Sequence, residues 1–281
     1  MAVSSQESEK HDGESAEWAL TLWQAYLTGD HSHLDARVRT VRGLFKRLPS
    51  PSRCRVCNAP FQGPAGKLVG LFGFGAGRSS FNPSLCDRCE KIVKRYQVGT
   101  EVELTLLFAD VRGSTPLAEE IGASAFHHLI NRFYAASTGV LVRTNALIEK
   151  MIGDEVAGLY VPGIAGPDHA RIALDAARDL LAATGHTDPG GPWIKVGAGV
   201  HTGTAYVGAV GSSQSVSDIT VLGDVANTTA RLASQAGAGE ILVTQETCLA
   251  AGQDLEHCET RQLQLKGRSQ ITPVRVIRVS N

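Results

Sequence analysis

Two aspartates occupy backbone positions from which their carboxylates could hold a metal ion. Asp110 ends the apolar run EVELTLLFAD, and Asp154 lies in the Gly153-Asp154 pair between two other apolar segments. A strand-end Asp and a hairpin Asp on neighbouring strands can meet in space. Two convergent carboxylates suit Mg²⁺, which takes its other ligands from phosphates and water. Gly-Asp is also ordinary turn chemistry, so Asp154 considered alone fits a simple turn equally well.

A second group of residues has the chemistry to bind phosphate and sugar. The segment Gly113-Ser114-Thr115 follows the first aspartate and leads into a helix, and the backbone amides at a helix N-terminus form a natural cradle for phosphate. Asn227 and Arg231 are four residues apart, so their side chains leave the same face of a helix. An amide beside a guanidinium can position a sugar oxygen and brace a phosphate, although an Arg on a helix most often faces solvent.

Four cysteines form two C-x2-C pairs, Cys54 with Cys57 and Cys86 with Cys89. In a reducing compartment this pattern predicts a four-thiolate metal site rather than disulfides. The 28 residues between the pairs exceed the usual zinc-ribbon spacing. Zn²⁺ is favoured, and an iron–sulfur cluster is the alternative.

The hydrophobic pattern predicts the elements that would position these side chains. Apolar runs predict strands at 146–152 and 155–161, joined at Gly153-Asp154, and a second hairpin that pairs 193–201 with 204–210. Helical periodicity recurs between the strands without regular βαβ alternation. The pattern therefore predicts an α+β fold with a mixed, mostly antiparallel sheet flanked by helices.

Composition divides the 281 residues into modules. With 43% hydrophobic residues the chain can form a packed core. Residues 1–15 are predicted to be a disordered tail, and 16–48 a helical segment whose second half is basic and amphipathic. Residues 50–97 form the four-cysteine, zinc-ribbon-like metal module, and 101–279 a larger α+β domain.

Charge is distributed unevenly along the chain. Residues 36–100 hold 13 Lys/Arg and two Asp/Glu, which suits an anionic partner or a membrane surface, although Arg-rich helices are often merely solvated. No base-stacking motif accompanies this charge, so no specific nucleic acid is predicted. The sequence contains no apolar window of roughly 18 residues and has a polar N-terminus, which together predict a cytoplasmic protein.

Four motifs together resemble the class III nucleotidyl cyclase catalytic domain. They are LTLLFADVRGST, EKMIGDEVAGLYV, VGAGVHTGTAYVGAVG and ITVLGDVANTTARL, in this order, and the resemblance covers about residues 101–279. It implies conversion of a nucleoside triphosphate to its 3′,5′-cyclic monophosphate and pyrophosphate. It also implies a mixed sheet flanked by helices and active sites at a homodimer interface.

The resemblance also implies roles for individual residues. These are Asp110 and Asp154 as ligands of two Mg²⁺ or Mn²⁺ ions, Lys150 and Thr220 as readers of the base, Asn227 as the residue that orients the ribose, Arg231 as the stabiliser of transition-state charge, and Lys266 near the triphosphate tail. The two aspartates would come from one subunit, and the base, ribose and charge-stabilising residues from the other.

The base-reading positions favour ATP over GTP. Lys150 can only donate a hydrogen bond, which suits N1 of adenine, and Thr220 can accept one from the 6-amino group. The Thr hydroxyl can also donate, so some turnover of GTP is expected. The sequence therefore predicts an adenylate cyclase with the cysteine module as its regulator. The alternatives are a guanylate or dual-specificity cyclase, and a catalytically silent cyclase fold that serves regulation or dimerisation.

Overall fold

The computed structural model describes residues 16–71, 77–79, 82–211, 217–264 and 271–280. Two predictions, the disordered tail at 1–15 and the position of Lys266, lie outside these residues. Among the described residues, no helix combines the length and apolar character needed to cross a membrane.

The described residues form helices and strands that alternate irregularly along the chain. The helices are α1 (16–28), α2 (Ala36–Arg47), α3 (Gly63–Leu71), α4 (Asp87–Tyr96), α5 (Ser114–Ile121), α6 (Ala123–Arg143), α7 (Pro162–Ala165), α8 (His169–Ala183), α9 (Asp224–Gln235) and α10 (Gln245–Ala251). The strands are β1 (Gly99–Val111), β2 (Leu147–Ile152), β3 (Glu155–Tyr160), β4 (Val196–Gly211), β5 (Ser217–Leu222), β6 (Glu240–Thr244), β7 (Glu259–Gln264) and β8 (Ile271–Arg278).

The strands form one mixed sheet of order β2-β3-β1-β4-β6-β8-β7, and β5 pairs with β4. The β1–β3, β2–β3, β6–β8 and β7–β8 pairs are antiparallel, and the β4–β6 pair is parallel. The predicted mixed, mostly antiparallel sheet flanked by helices is therefore confirmed.

The predicted hairpin of 193–201 with 204–210 is wrong, because this region is the single long strand β4. A two-residue hairpin needs at least one central residue with positive φ. Gly203, the glycine at the expected turn, does not adopt positive φ. The chain therefore continues extended through the position where the sequence favours a turn.

The described chain divides into two compact units. The described residues of the first lie within Met1–Val102 and Tyr206–Val221, and those of the second lie within Glu103–Ala205 and Leu222–Asn281. In the first unit the indole Nε1 of Trp23 donates to the carbonyl of Val207 over 2.9 Å, which attaches α1 to the end of β4. A Cβ on Gly208 would lie 2.4 Å from the Cα of Gly99, so only glycine permits this close approach of β4 to β1.

The second unit packs helices on both faces of its part of the sheet. Ile241 and Val243 of β6 belong to the core formed with α6, α8 and α10, whereas Leu242 packs with Leu232 of α9. Alternate residues of a strand point to opposite faces, so α9 lies across the sheet from the other helices. A Cβ on Gly199 would lie 2.5 Å from the backbone nitrogen of Ala233, and this glycine lets α9 approach β4 closely.

Candidate active site

Asp110 is the next-to-last residue of β1 and lies four residues before α5 begins at Ser114. Gly113 adopts φ +67° as the residue that leads into α5. Among the described residues, no side chain caps this helix. The first backbone N–H groups of a helix have no partner within it, so the N–H groups of Ser114 and Thr115 can bind an anion.

Asp154 lies at the tip of the β2–β3 hairpin, as the sequence predicts. Gly153 precedes it with φ +64°, a conformation that favours glycine. The backbone of Asp154 is attached to β1, because its carbonyl accepts a hydrogen bond from the Val111 N–H over 3.1 Å. The phenol of Tyr134 on α6 donates to the Gly153 carbonyl over 2.8 Å. The hairpin tip is thus held both by β1 and by α6.

The register of β1 and β3 brings the two aspartate carboxylates together. Asp110 pairs with Glu155, so Asp154 lies beside the end of β1. Burial raises the pKa of Asp110, the Arg112 guanidinium lowers it, and the nearby Asp154 carboxylate raises it again, which leaves it above its usual value. Such an increase is expected where two carboxylates meet in a partly buried place. The two aspartates therefore converge as predicted.

Arg112 occupies the space beside Asp110. Its guanidinium forms an ion pair with the Asp110 carboxylate and donates to the carbonyls of Ser234 and Ala236, at 2.6 and 3.3 Å. These carbonyls belong to the C-terminal end of α9, where the helix dipole favours a cation. Arg112 thus connects the carboxylate pair to α9.

Lys150 lies on β2, in a group of acidic side chains. Its Nζ is 3.7 Å from the Glu149 carboxylate and 5.6 Å from the centre of the Phe108 ring. Burial raises the pKa of Glu155, and Lys150 opposes that rise. Lys150 is half-buried, so its ammonium is accessible to a ligand.

Asn227 and Arg231 lie on one face of α9, as the sequence predicts. The opposite face is buried through Val225, Thr228 and Leu232. Asn227 is exposed and Arg231 is half-exposed. Within the described part of the chain, neither side chain forms a hydrogen bond or ion pair with Asp110 or Asp154.

Thr220, the second residue predicted to read the base, is half-buried in β5 and belongs to the first unit.

A cavity of about 690 Å³ in the second unit lies beside the carboxylate pair. It is lined by Ser114, Thr115, Tyr134 and Asp154, among other residues. Its volume is in the range of small-molecule sites.

The four cysteines predicted to bind a metal converge in the first unit. The sulfur atoms of Cys54, Cys57, Cys86 and Cys89 all lie within 4.8 Å of one another, and Cys57 Sγ is 3.8 Å from Cys86 Sγ. Four thiolates at the Zn–S distance of a tetrahedral site are about 3.8 Å apart. Backbone N–H groups of Cys86 and Cys89 donate to Cys54 Sγ and Cys86 Sγ, over 3.3 and 3.4 Å. The arrangement fits one tetrahedral ion.

Hydrogen bonds among the four thiols shift their pKa values in opposite directions, and they raise the pKa of Cys89 well above its usual value. Hydrogen bonds from Cys57, Cys86 and Cys89 lower the pKa of Cys54 well below its usual value. Burial lowers the pKa of Arg42 of α2, and the charges of the nearby cysteines oppose that decrease in part. Donor chemistry and geometry therefore both fit a thiolate-bound metal.

Comparison with known proteins identifies the family. The sequence model described as "Adenylate and Guanylate cyclase catalytic domain" matches residues 97–277. The chain belongs to this family. The matched region begins at residue 97, two residues before β1, and ends in β8.

Individual relatives agree with this assignment. An adenylate cyclase of Anabaena cylindrica is 33% identical over 135 residues, which are 46% of this chain and 26% of that protein. An adenylate cyclase of Mycobacterium tuberculosis H37Rv is 29% identical over 170 residues, 59% of this chain and 37% of the relative. The chain therefore spans well under half the length of these curated relatives.

Solved cyclase structures share the fold. The guanylyl cyclase Cya2 superposes with a TM-score of 0.58 at 25% identity, covering 65% of this chain and 95% of that one. The adenylyl cyclase CyaB from P. aeruginosa superposes with a TM-score of 0.53 at 27% identity, covering 64% and 95%.

Sequence reasoning missed two residues that contact the cyclase carboxylate site. The quoted motif contains Arg112, and its opposite charge two residues from Asp110 is the local signal that could have indicated their ion pair. The other partner of Arg112, Ser234, is 122 residues away, and Tyr134 contacts Gly153, 19 residues away. No local pattern could have identified these two longer-range contacts.

Proposed function

We propose that this protein is an adenylate cyclase that converts ATP to 3′,5′-cyclic AMP and pyrophosphate. The observation that carries the proposal is the convergence of Asp110 and Asp154 beside the uncapped N-terminus of α5. Two carboxylates and a set of free amide donors are complementary to a metal-bound triphosphate. The family assignment supports the same chemistry.

The carboxylates would hold two Mg²⁺ or Mn²⁺ ions, and the donor set fits because both are oxygen ligands on an open, partly exposed edge. When bound, such ions neutralise the triphosphate and activate the ribose 3′-hydroxyl for in-line attack on the α-phosphorus. The backbone N–H groups of Ser114 and Thr115 bind phosphate oxygens, and Gly113 supplies the turn that presents them. Pyrophosphate leaves as the 3′-oxygen bonds to phosphorus.

Base selection rests on Lys150 and Thr220. A lysine donates to N1 of adenine, and a threonine hydroxyl accepts from the 6-amino group. The half-buried ammonium of Lys150 supports this role. Lys266 would contact the triphosphate tail.

Asn227 would orient the ribose, and Arg231 would stabilise charge on the phosphoryl oxygens. Neither pairs with the carboxylates of its own chain, although both lie on the outer face of α9. This supports a homodimer in which one subunit contributes the aspartates and the other contributes Lys150, Thr220, Asn227 and Arg231. A symmetric dimer then has two equivalent sites.

A guanylate or dual-specificity cyclase is the second candidate. The observation that favours it is the superposition on a structure named as a guanylyl cyclase. Guanine presents a donor at N1, which a lysine cannot accept, so Lys150 argues for ATP. A catalytically silent fold is the third candidate, and the presence of all six carried-over positions argues against it.

The cysteine module would bind Zn²⁺ and regulate the cyclase. Iron–sulfur clusters bind their cysteines through separate iron atoms, which requires wider spacing than one shared ion. Sulfur atoms that all lie within 4.8 Å therefore favour a single tetrahedral ion. Binding of the basic segment 36–100 to an anionic partner or membrane surface stays a prediction.

The test is a turnover assay of the purified protein with ATP or GTP and Mg²⁺ or Mn²⁺. We expect cyclic AMP as the main product. Asp110→Ala and Arg231→Ala should each lose at least about 10²-fold in rate. Mixed at equal amounts, they should recover about a quarter of the wild-type rate, since half the random dimers carry one intact site. Mixed dimers without recovery would contradict the shared site, and no cyclic product from either nucleotide would contradict the enzyme.

A further inference from the structure

All three nitrogens of the Arg112 guanidinium have partners, two of them on Asp110 and one at the end of α9. Nη2 forms an ion pair with Asp110 Oδ2, and Nε donates to the Asp110 carbonyl over 3.2 Å. Nη1 donates to the carbonyls of Ser234 and Ala236. The Arg112 backbone is itself fixed, because its N–H donates to the Lys195 carbonyl over 2.8 Å.

The ion pair lies where solvent screens it weakly. The side chains of Arg112 and Asp110 are 19% and 20% exposed. Charge–charge interactions strengthen as water is excluded. Asp110 Oδ2 is thus already paired with the Arg112 guanidinium, and a divalent ion would need the oxygens of the same carboxylate.

We propose that Arg112 is a positioning residue that competes with the divalent metal for Asp110 and thereby sets the metal affinity of the site. The proposal rests on the proposed function in one respect, since it takes Asp110 as a metal ligand. A guanidinium and a metal dication on the same carboxylate repel each other, so each weakens the binding of the other. Metal binding therefore favours the displacement of Arg112 from the carboxylate.

The structure provides a place for the displaced guanidinium. The carbonyls of Ser234 and Ala236 lie at the C-terminal end of α9, and both already accept from Arg112. Carbonyls there carry the negative end of the helix dipole and suit a cation. Arg112 can release the carboxylate and keep these partners, so the exchange leaves no buried charge unpaired.

The experiment is a titration of the full-length, metal-module-loaded protein with Mn²⁺ in the absence of nucleotide, with free Mn²⁺ measured by electron paramagnetic resonance. Arg112→Gln should bind Mn²⁺ at least about fivefold more tightly than the wild type, because one competing charge contact is removed. Arg112→Lys should lie between them, since it keeps the charge but not the planar fork.

A matched control removes a positive charge elsewhere. Arg171 lies on α8 in an exposed ion pair with Asp168, so Arg171→Gln changes net charge equally and should leave the Mn²⁺ affinity at the wild-type value. In an Asp110→Asn background, Arg112→Gln should produce no gain, because the contested carboxylate is gone.

Equal or weaker Mn²⁺ binding by Arg112→Gln overturns the proposal. If that variant does not fold, the Mn²⁺ affinity of Arg112→Lys is the test, and a value equal to that of the wild type overturns the proposal. The cyclase assay separates the two proposals. If Arg112→Gln binds Mn²⁺ more tightly but the protein turns over neither ATP nor GTP, only the proposed function is contradicted. If the protein turns over nucleotide but Arg112→Gln does not bind Mn²⁺ more tightly, only the proposed competition between Arg112 and the metal is contradicted.

Discussion

The four-cysteine cluster and the carboxylate pair represent two different kinds of metal-binding geometry within one chain. The cysteine cluster is closed, because four sulfur atoms within 4.8 Å of one another can complete a tetrahedral shell. The carboxylate pair is open, because it offers only two side chains beside a cavity of about 690 Å³. Closed sites hold structure together, and open sites leave coordination positions for a substrate.

The surroundings reinforce this difference. Three of the four cysteines are buried, and Val56 and Leu85 beside them in the chain are also buried. The carboxylate site instead contains its own counter-ion in Arg112. A cluster whose ligands satisfy one another suits a permanent ion, whereas a site with exchangeable partners suits an ion that arrives with its substrate.

The largest expected effect comes from breaking each site separately. Asp110→Asn should lower turnover at least about 10²-fold without changing the metal content of the cysteine cluster, because only the open site loses a ligand. Cys86→Ser should lower the metal affinity of the cysteine cluster at least about a hundredfold. Serine keeps an oxygen that can cap α4 as the Cys86 sulfur does, so the loss reflects ligation.

Elemental analysis and a cyclase assay on the same samples measure both effects. Cys258→Ser is the control, since Cys258 is half-buried and outside the cluster. An unchanged metal content in Cys86→Ser would mean that the cluster does not bind metal as described.

A smaller effect is expected from changing a residue that positions the carboxylate site but is not one of its proposed metal ligands. Tyr134→Phe removes the hydrogen bond to the Gly153 carbonyl, which holds the turn that carries Asp154. Losing this hydrogen bond removes about 1 kcal/mol of stabilisation from the turn. We expect kcat to fall about fivefold and the Mg²⁺ concentration needed for half-maximal rate to rise.

Tyr160→Phe is the matched control for Tyr134→Phe. Its hydroxyl pairs with Thr144 over 2.8 Å, so its removal should lower the melting temperature and leave the metal requirement unchanged. An unchanged metal requirement in Tyr134→Phe would mean that α6 does not position the hairpin tip.

The smallest effect concerns a surface network in the second unit that touches neither site. Hydrogen bonds from Arg261 hold the pKa of Glu240 at about 2, below its ordinary 4.5. A carboxyl with a lowered folded-state pKa stabilises the fold above about pH 4.5 and loses this contribution as the pH falls towards 2. Glu240→Gln should therefore lower the free energy of unfolding by about 1–2 kcal/mol at pH 7, after allowance for solvent screening.

Urea unfolding at pH 7, 4 and 3 measures this effect. The difference between wild type and Glu240→Gln should shrink as the pH falls. The exposed Glu256→Gln should change the free energy of unfolding little at any of these pH values. A difference that is constant with pH would show that the charge of Glu240 is not what stabilises the fold.

Local chemistry explains which parts of the fold could be predicted. The β2–β3 hairpin follows from Gly153-Asp154 between apolar runs, and the helical spacing of Asn227 and Arg231 follows from a periodic segment. The turn expected near Gly203 failed, because the pairing of β4 with its neighbours outweighed a weak local preference.

The sequence by itself determined which residues carry chemistry: two aspartates at a strand end and a turn, and four cysteines in two short pairs. These features depend on a few neighbouring residues and on backbone preferences. The tertiary structure alone decided that Tyr134 holds the hairpin tip and that Arg112 reaches Ser234, 122 residues away. Such contacts depend on strand register and helix packing, which arise only when the whole sheet assembles.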